Sequence, residues 1–177
     1  MPLKKSLRVP KNKGCDRMGN FRKLTRFKQA LSSNECYSLL ESTLRGVLAF
    51  NGDDGYPYAQ PINHFYDRES NTVFFHGGKI GYKADCIARS DKVCFTAMND
   101  GERMEGEWWL TFKSVIVFGR IEKITDQEEI RKITRRLCYK FTKDENYIEE
   151  EIQKYAPATL LLALHVEDIQ GKKVREK

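Results

Sequence analysis

The sequence predicts a small, mainly β domain in which six antiparallel strands close, wholly or in part, into a barrel with helices between the strands or at their ends. Three observations indicate this fold. Short apolar runs of strand length follow one another along the chain, turn-forming residues separate them, and the helical segments do not alternate with them regularly. A parallel sheet of β-α-β units is therefore not expected.

Length and composition fit one domain. The chain has 177 residues, of which 40% are hydrophobic, enough to bury a core. No apolar run approaches the roughly 18 residues of a membrane span, and no signal-peptide pattern opens the chain. Five cysteines and three histidines are scattered without the spacing of a disulfide framework or a metal site. We expect a cytoplasmic protein with no metal and no membrane partner.

The net charge of +6 is concentrated at the start of the chain. Residues 1–28 contain ten lysines and arginines and one aspartate, whereas the remaining residues carry a slight excess of acidic groups. We expect a poorly ordered basic arm over 1–28 and a single domain over 29–177. Nucleic-acid binding by the arm is an alternative. A solvated tail explains the same charge, so no nucleic-acid partner is expected.

The first elements are a helix and a β-hairpin. Ser32 and Glu35 form a capping-box pattern that predicts a helix ending near Thr43. An apolar run over 44–51 predicts the first strand, and the glycines and aspartates of 52–55 predict the turn. A second strand follows this turn.

The second strand, in YPYAQPINHFY, contains two prolines. Pro57 and Pro61 cannot donate backbone hydrogen bonds, so this strand should lie at an edge or carry a bulge. Its unpaired backbone groups would then be available to another partner.

The rest of the chain continues in the same way. Gly119 interrupts a long apolar run and predicts a bend or bulge, and Thr125 with Glu128 predicts a second capping box. The loop over 99–107 is polar and contains glycine. The other predicted elements are strands over 72–76, 92–99, 108–125 and 160–166, and helices over 81–89, 126–141 and 146–156.

The segment FFHGGKIGYK, residues 74–83, predicts an anion site. A strand ends at His76 and a helix begins near Gly81, so the glycine-rich turn between them directs backbone N–H groups toward a helix N-terminus. Lys79 and Lys83 add positive charge. The spacing fits neither a Walker A loop nor a GxGxxG fingerprint. On these residues alone, a glycine turn with surface lysines and no ligand is the commoner arrangement.

Three segments in this order resemble a known family: GYPYAQPIN, VFFHGGKIGYKADCIARSDKVCF and TFKSVIVFGRIE. They are similar to the flavin-binding split-barrel superfamily, in the branch related to pyridoxamine 5'-phosphate oxidase that includes the nitroimidazole-resistance (Nim) proteins. The resemblance runs from about Cys36 to Gly171. It implies a six-stranded antiparallel split β-barrel, FMN as cofactor with FAD as the alternative, and a homodimer with the flavin at its interface.

The resemblance also implies which residues contact the flavin. Residues 61–63 would offer backbone groups to the ring edge, the Gly77–Gly78 turn and the two lysines would hold the phosphate, and residues 114–115 would approach from the partner subunit. His76 would stand beside the ring as the one catalytic residue. The implied cofactor contacts are Pro61, Ile62, Asn63, Phe75, His76, Gly77, Gly78, Lys79, Lys83, Ser114 and Val115.

The function implied by the resemblance is reduction of small electron-poor acceptors, such as nitroimidazoles, by a flavin-dependent enzyme. Oxidation of vitamin B6 is not expected, because Gln60 stands where the true oxidases have a basic residue and the chain ends without their tryptophan- and arginine-containing segment. A flavin or haem carrier or sensor without turnover is the alternative. The Trp108–Trp109 pair either roofs the substrate side or is buried in a strand.

Overall fold

The computed structural model describes residues 21–175, and β-strands dominate this range. The first twenty residues of the expected basic arm lie outside it. The strands are β1 Arg45–Asn51, β2 Pro57–Asp67, β3 Thr72–Gly78, β4 Lys92–Met98, β5 Glu102–Arg103, β6 Leu110–Ile124 and β7 Thr159–Arg175. The helices are α1 Ser33–Ser42, α2 Tyr82–Arg89, α3 Gln127–Cys138 and α4 Glu145–Tyr155, with short 3-10 turns at Phe27–Gln29, Asp53–Gly55 and Ala156–Ala158.

Six of the strands close into an antiparallel ring. Their order is β4-β1-β2-β3-β7-β6, and β4 pairs with both β1 and β6. The two-residue β5 adds to β6 outside this ring. The prediction of a mainly β, six-stranded antiparallel fold with flanking helices is therefore confirmed. Within residues 21–175, no helix is long and apolar enough to cross a membrane.

Two hydrophobic cores lie on opposite sides of the sheet. Side chains alternate between the two faces of a strand, so in β3 the ring of Phe75 points into the strand ring, whereas Phe74 points outward. The inner core is closed at one end by α1, whose Leu40 is fully buried. The outer core forms where Ile133 of α3 and Ile148 of α4 cover β3 and β7.

Most predicted elements are present, and several boundaries differ. The capping box of Ser32 and Glu35 is formed, but α3 is capped by Asp126, whose carboxylate accepts a hydrogen bond from Glu129 N–H at 2.8 Å. The predicted capping box at Thr125 is thus wrong by one residue, because aspartate caps helices at least as well as threonine does. The last strand runs to Arg175 rather than ending at 166, because its pairing with β6 continues. The prediction stopped early because the outward-facing positions of this part of the strand are charged.

The predicted irregularity at Gly119 is a β-bulge. The register between β6 and β7 shifts between Phe118 and Gly119, and Glu167 is the extra residue on the β7 side. A side chain at Gly119 would collide with the carbonyl oxygen of His165. The bulge thus allows the long strand β6 to bend and pair with both β4 and β7.

The last residues of the expected basic arm lie against the sheet. Phe21 stacks on Phe118 of β6 with ring centroids 5.5 Å apart, and the carbonyl of Arg22 accepts a hydrogen bond from Gln170 Nε2 at 3.0 Å. Further on, Leu31 N–H donates to the carbonyl of Gly171 at 2.9 Å. Residues 21–31 therefore follow the outer side of β6 and β7.

His64 is a core residue, and it should make the fold acid-sensitive. Its Nε2–H donates to the Leu40 carbonyl at 2.9 Å, its ring packs on Phe95, and it is fully buried. Burial, assisted by the charge of Lys140, lowers the pKa of His64 to about 4 from its ordinary value of 6.5. The unfolded chain therefore binds a proton between these pH values that the native protein does not bind, and stability falls as the pH falls through this window.

We expect the free energy of unfolding to drop by about 3 kcal/mol between pH 7 and pH 4 because of His64 alone. Urea denaturation at several pH values measures this change. In His64→Gln the corresponding part of the pH dependence should vanish. In His165→Gln, which alters an exposed histidine paired with Glu122, it should remain. An unchanged pH profile in His64→Gln would show that other groups cause the acid sensitivity.

Candidate functional site

Strands β2 and β3 separate at the predicted site. They pair from Asp67↔Thr72 to His64↔Phe75, and beyond that point β2 continues beside β1 while β3 continues beside β7. The β2–β3 cleft, as we call it, lies between residues 61–63 and residues 76–78. The prediction that β2 becomes an edge is confirmed for Pro57–Asn63, which pairs with β1 alone.

The β2 side of the cleft presents backbone groups. His64 N–H donates to the Leu44 carbonyl on the β1 side at 3.3 Å. The backbone N–H and C=O groups of successive residues point to alternate sides of a strand. Pro61 and Asn63 therefore turn these groups away from β1, whereas those of Ile62 face it. Proline thus occupies a position where no N–H is needed for the β1 ladder. A planar ligand edge in the cleft would meet these groups.

Arg45, which the sequence did not identify as a site residue, supports the β2 edge of the cleft. Arg45 Nε donates to the side-chain oxygen of Asn63 at 2.8 Å, directly across the β1–β2 pair. The contact fixes the Asn63 amide. The hairpin register, which places Arg45 opposite Asn63, is the signal from which it could have been found.

The double glycine ends a strand and is not the predicted turn. Gly77 and Gly78 pair with Leu160 and Thr159 of β7, so β3 runs through both. The bend follows at residues 79–81, where Gly81 has a φ of 114°. Glycine supplies this left-handed conformation without strain. The helix α2 starts directly after it.

Lys83 reaches from the first turn of α2 back to β3. Its Nζ occupies the space that a side chain at Gly77 would fill. The ammonium group is partly buried, and burial lowers the pKa of Lys83. No carboxylate in the described range forms an ion pair with it. A desolvated cation over bare backbone is an arrangement that an anion would stabilise.

The N-terminus of α2 adds to this electrostatic preference. The N-cap Gly81 has no side chain to accept hydrogen bonds from the first turn, so no side chain caps the leading N–H groups of α2. Their partial positive charge lies in the same turn as Lys83. The residues present therefore fit the phosphate of a nucleotide.

Lys79 is directed elsewhere. Its Nζ donates to the carbonyl of Pro157, in the 3-10 turn after α4, at 2.6 Å. Arg89, at the other end of α2, pairs with Asp53 at 2.7 Å. Of these three cations, Lys83 alone has neither a carbonyl nor a carboxylate partner among the described residues.

His76 and Phe75 lie on opposite faces of β3. The imidazole of His76 is at the exposed rim of the cleft, where the surrounding protein, and then the charge of Lys83, lower the pKa of His76 below its ordinary value of 6.5. Phe75 is fully buried and packs edge-on against Phe95 with centroids 5.0 Å apart. The ring of Phe75 is therefore not available to the cleft.

Ser114 and Val115 lie far from His76 within one chain. Val115 is fully buried in the inner core, whereas Ser114 is opposite Met98 on the outside of the sheet. Ile124 is the β6 residue level with His76, since both pair with Leu161. Along the bulged strand β6, ten residues separate Ser114 from Ile124, and across the sheet Ser114 lies three strands from the β2 side of the cleft, with β4 and β1 between them. One chain does not bring these predicted contacts together.

The outer face of the sheet, formed by β2, β1, β4 and β6, connects the β2–β3 cleft with the region around Ser114. Its residues are all partly or fully exposed although many are apolar. Met98 and Ile116, for example, are 65% and 37% exposed. An exposed apolar face of this extent is typical of a protein interface. The outer face consists of Arg45, Val47, Ala49, Ala59, Pro61, Cys94, Thr96, Met98, Ser114 and Ile116.

Two open cavities lie elsewhere. One of about 560 Å³ lies at the β5–β6 end, and one of about 530 Å³ lies beneath α3. Neither is lined by His76, Gly77 or Lys83. Pro61, His76 and Gly78, which border the β2–β3 cleft, are exposed, so the cleft is open in a single chain.

Comparison with known proteins gives a family and a set of similar folds. The family model described as pyridoxamine 5'-phosphate oxidase matches residues 32–173. A protein from Bacteroides thetaiotaomicron, described as a candidate 5-nitroimidazole antibiotic resistance protein, is 21% identical with a TM-score of 0.70 over 81% of this chain and 86% of its own. No curated protein matches the sequence significantly.

Two further solved structures are similar in fold. A FAD-binding protein from Mesorhizobium loti is 20% identical, with a TM-score of 0.60 over 82% of this chain and 97% of its own. A FAD and haem binding protein from Mycobacterium smegmatis is 23% identical, with a TM-score of 0.66 over 85% of this chain and 74% of its own. At these identities the likeness concerns the fold alone.

Proposed function

Because the chain belongs to the pyridoxamine 5'-phosphate oxidase family, we propose that it is a flavin-binding oxidoreductase that reduces small electron-poor acceptors such as nitroimidazoles. The observation that carries the proposal is Lys83, a partly buried ammonium group set against Gly77 without an anionic partner in the described range. Proteins of similar structure are described as FAD-binding and as a candidate nitroimidazole resistance protein, which is consistent with this function.

FMN is the proposed cofactor. Lys83 and the first N–H groups of α2 would hold its phosphate, and the backbone of Pro61 and Asn63 would meet the ring edge. One unpaired lysine suits a single phosphate, since the neighbouring Lys79 and Arg89 already have partners. FAD remains the alternative that mass analysis of the released flavin would identify.

His76 is proposed to hydrogen-bond the acceptor. A bound flavin supplies hydride or electron transfer when reduced. The lowered pKa of His76 keeps its imidazole neutral near pH 7. The side chain then has one N–H to donate to a nitro or carbonyl oxygen of the acceptor at the rim of the cleft.

A homodimer is the proposed working unit. The cleft is open in one chain, and Pro61 shares the exposed outer face with Ser114. Pairing of two such faces would cover the apolar residues and bring Ser114 of one copy toward the cleft of the other. Light scattering of the flavin-loaded protein tests this assembly, and a monomer would contradict it.

Spectroscopy tests the proposed function directly. Purified protein mixed with FMN and desalted should show the two visible flavin bands, and titration should give a dissociation constant in the micromolar range or below. After anaerobic reduction with dithionite and removal of the excess, adding 2-methyl-5-nitroimidazole should restore the oxidised spectrum. In His76→Gln the flavin should bind as in the parent and reoxidise more slowly.

Two outcomes would contradict the proposal. Failure to retain FMN or FAD would remove the cofactor assignment. Retention of flavin with no acceleration of acceptor reduction over free FMN would instead support a carrier or sensor. A Soret band in protein purified from haem-containing cells would favour the haem-carrier alternative.

A further inference from the structure

Asn63 and His76 stand opposite each other at the mouth of the β2–β3 cleft. They are the next residues beyond the last β2–β3 pair, His64 and Phe75, whose side chains point into the inner core. Since successive side chains of a strand point to opposite faces, those of Asn63 and His76 project from the outer side of the sheet. The cleft thus has one polar side chain on each wall, and both lie on the same side of the sheet.

Arg45 sets the orientation of the Asn63 amide. Its Nε–H donates to Asn63 Oδ1 at 2.8 Å from the directly opposite position on β1. This contact holds the amide oxygen on the β1 side. The NH2 group at the other end of the amide is therefore turned away from β1, and the side of β2 away from β1 is the one that borders the cleft.

Both side chains offer hydrogen-bond donors. The NH2 group of Asn63 can only donate. The pKa of His76 is lowered by burial and then by the charge of Lys83, so its imidazole is neutral near pH 7 and donates one N–H. Within residues 21–175 neither donor has a hydrogen-bond partner, and the outer face beside them contains no acidic residue. Two unoccupied donors on one side of the sheet suit a ligand group that has two acceptor oxygens.

The backbone groups and the side chains of the cleft point in different directions. Backbone N–H and C=O groups lie roughly in the plane of a sheet, whereas side chains stand perpendicular to it. The proposed cofactor contacts at Pro61 and Asn63 are backbone groups, so they leave the Asn63 side chain available to a second molecule. A planar compound that lies over the mouth of the cleft on the outer side would meet the donors of Asn63 and His76 together.

We propose that the side chains of Asn63 and His76 together bind the two oxygens of a planar nitro or carboxylate group on the acceptor, and that Arg45 is a positioning residue that acts through Asn63. This inference rests on the proposed function, for which it names the chemical group that is recognised. Two donors on neighbouring strands select a flat group with two oxygens over a group that has one oxygen or an N–H of its own.

Benzoate tests the recognition of two oxygens without turnover. It has the shape of nitrobenzene and is not reduced by a flavin. Titration of the oxidised, FMN-saturated protein with benzoate, followed through the flavin spectrum, gives its dissociation constant. We expect benzoate to bind about 10-fold more tightly than benzamide, which has one oxygen and an NH2 group, because hydrogen bonds to a charged acceptor are the stronger ones. Equal affinities for benzoate and benzamide would overturn the proposal.

Two substitutions of Asn63 test its role as a donor. Asn63→Asp keeps a partner for Arg45 but replaces the NH2 group by a carboxylate oxygen. Benzoate binding should weaken by at least about 10-fold, and benzamide should become the tighter ligand. Asn63→Leu has a similar size and no polar group, and it should weaken benzoate binding by about 3- to 10-fold. A parental preference for benzoate in Asn63→Asp would overturn the proposal, since a loss of structure alone does not reverse the order of two ligands.

A double-mutant cycle tests whether Arg45 acts through Asn63. The ligand is 2-methyl-5-nitroimidazole, which is neutral and therefore responds little to the charge of Arg45 itself. Arg45→Met should weaken its binding to the oxidised flavoprotein by about threefold, because the amide is no longer held. In the Asn63→Leu background the same change should have no further effect, since no amide remains to be positioned. Additive losses would contradict the positioning role.

Arg68→Met is the matched control for Arg45→Met. Arg68 is also an exposed arginine with a hydrogen-bonded side chain, since its guanidinium group pairs with Glu41 at 2.8 Å. It directly follows the end of β2 that is away from the cleft. We expect no change in the affinity for 2-methyl-5-nitroimidazole. A loss equal to that in Arg45→Met would show that a change in net charge causes both effects, which would contradict a specific role for Arg45.

The outcomes separate this inference from the function on which it rests. If the parent retains no flavin, the proposed function fails and the acceptor site fails with it. If the parent retains flavin and reduces nitroimidazoles while the Asn63 and Arg45 variants bind both ligands as the parent does, the proposed function stands and only the acceptor site is wrong.

Discussion

Replacing Lys83 by methionine is expected to weaken FMN binding by about 10- to 100-fold. A charge-assisted hydrogen bond to phosphate contributes roughly 1.5–3 kcal/mol, and each 1.4 kcal/mol is a factor of ten in affinity. Methionine keeps most of the aliphatic length that passes Gly77, so α2 should stay in place. Quenching of FMN fluorescence on titration with protein measures the dissociation constant.

Lys79→Met is the matched comparison, because Lys79 precedes Gly81 as closely as Lys83 follows it. Its ammonium group is held by the Pro157 carbonyl, so we expect less than a threefold change in FMN affinity. Equal losses in the two variants would mean that general positive charge, rather than a specific contact, attracts the cofactor. No loss in Lys83→Met would remove the anion site altogether.

Replacing Phe75 by alanine is expected to cost about 3–5 kcal/mol of the free energy of unfolding. The ring is fully buried and packs against Phe95, so its removal leaves a cavity in the inner core. Urea denaturation measures the loss. Phe141→Ala, at a position that is 45% exposed, should cost under about 1 kcal/mol.

The same variant separates two roles for Phe75. The resemblance implies a flavin contact, whereas the structure buries the ring in the inner core. If Phe75→Ala kept its stability but lost flavin affinity, the ring would have to contact the flavin and the core assignment would be wrong.

The sequence was sufficient for elements defined by local patterns. The capping box of Ser32 with Glu35 and the alternating residues of β1 to β4 depend on near neighbours, and they predicted the helix and strands found. The prolines of β2 also predicted its unpaired edge, because a missing N–H restricts pairing wherever the strand lies.

Features that depend on distant partners were not predictable. Gly77 and Gly78 have the composition of a turn, but pairing with β7, more than eighty residues later, makes them strand. Lys79 and Lys83 look equivalent in the sequence, and the Pro157 carbonyl that distinguishes them is 78 residues away. The end of β7 was missed because an outward strand position tolerates charge as readily as a loop does.

The separation of β2 from β3 has a consequence for how the protein could diversify. The walls of the cleft are main chain at Pro61, Asn63 and Gly77, and main-chain groups survive most substitutions. Mutations in the surrounding loops should therefore change which compounds are processed long before they change which prosthetic group is retained. Laboratory selection for new acceptors should accordingly leave the glycines of β3 untouched.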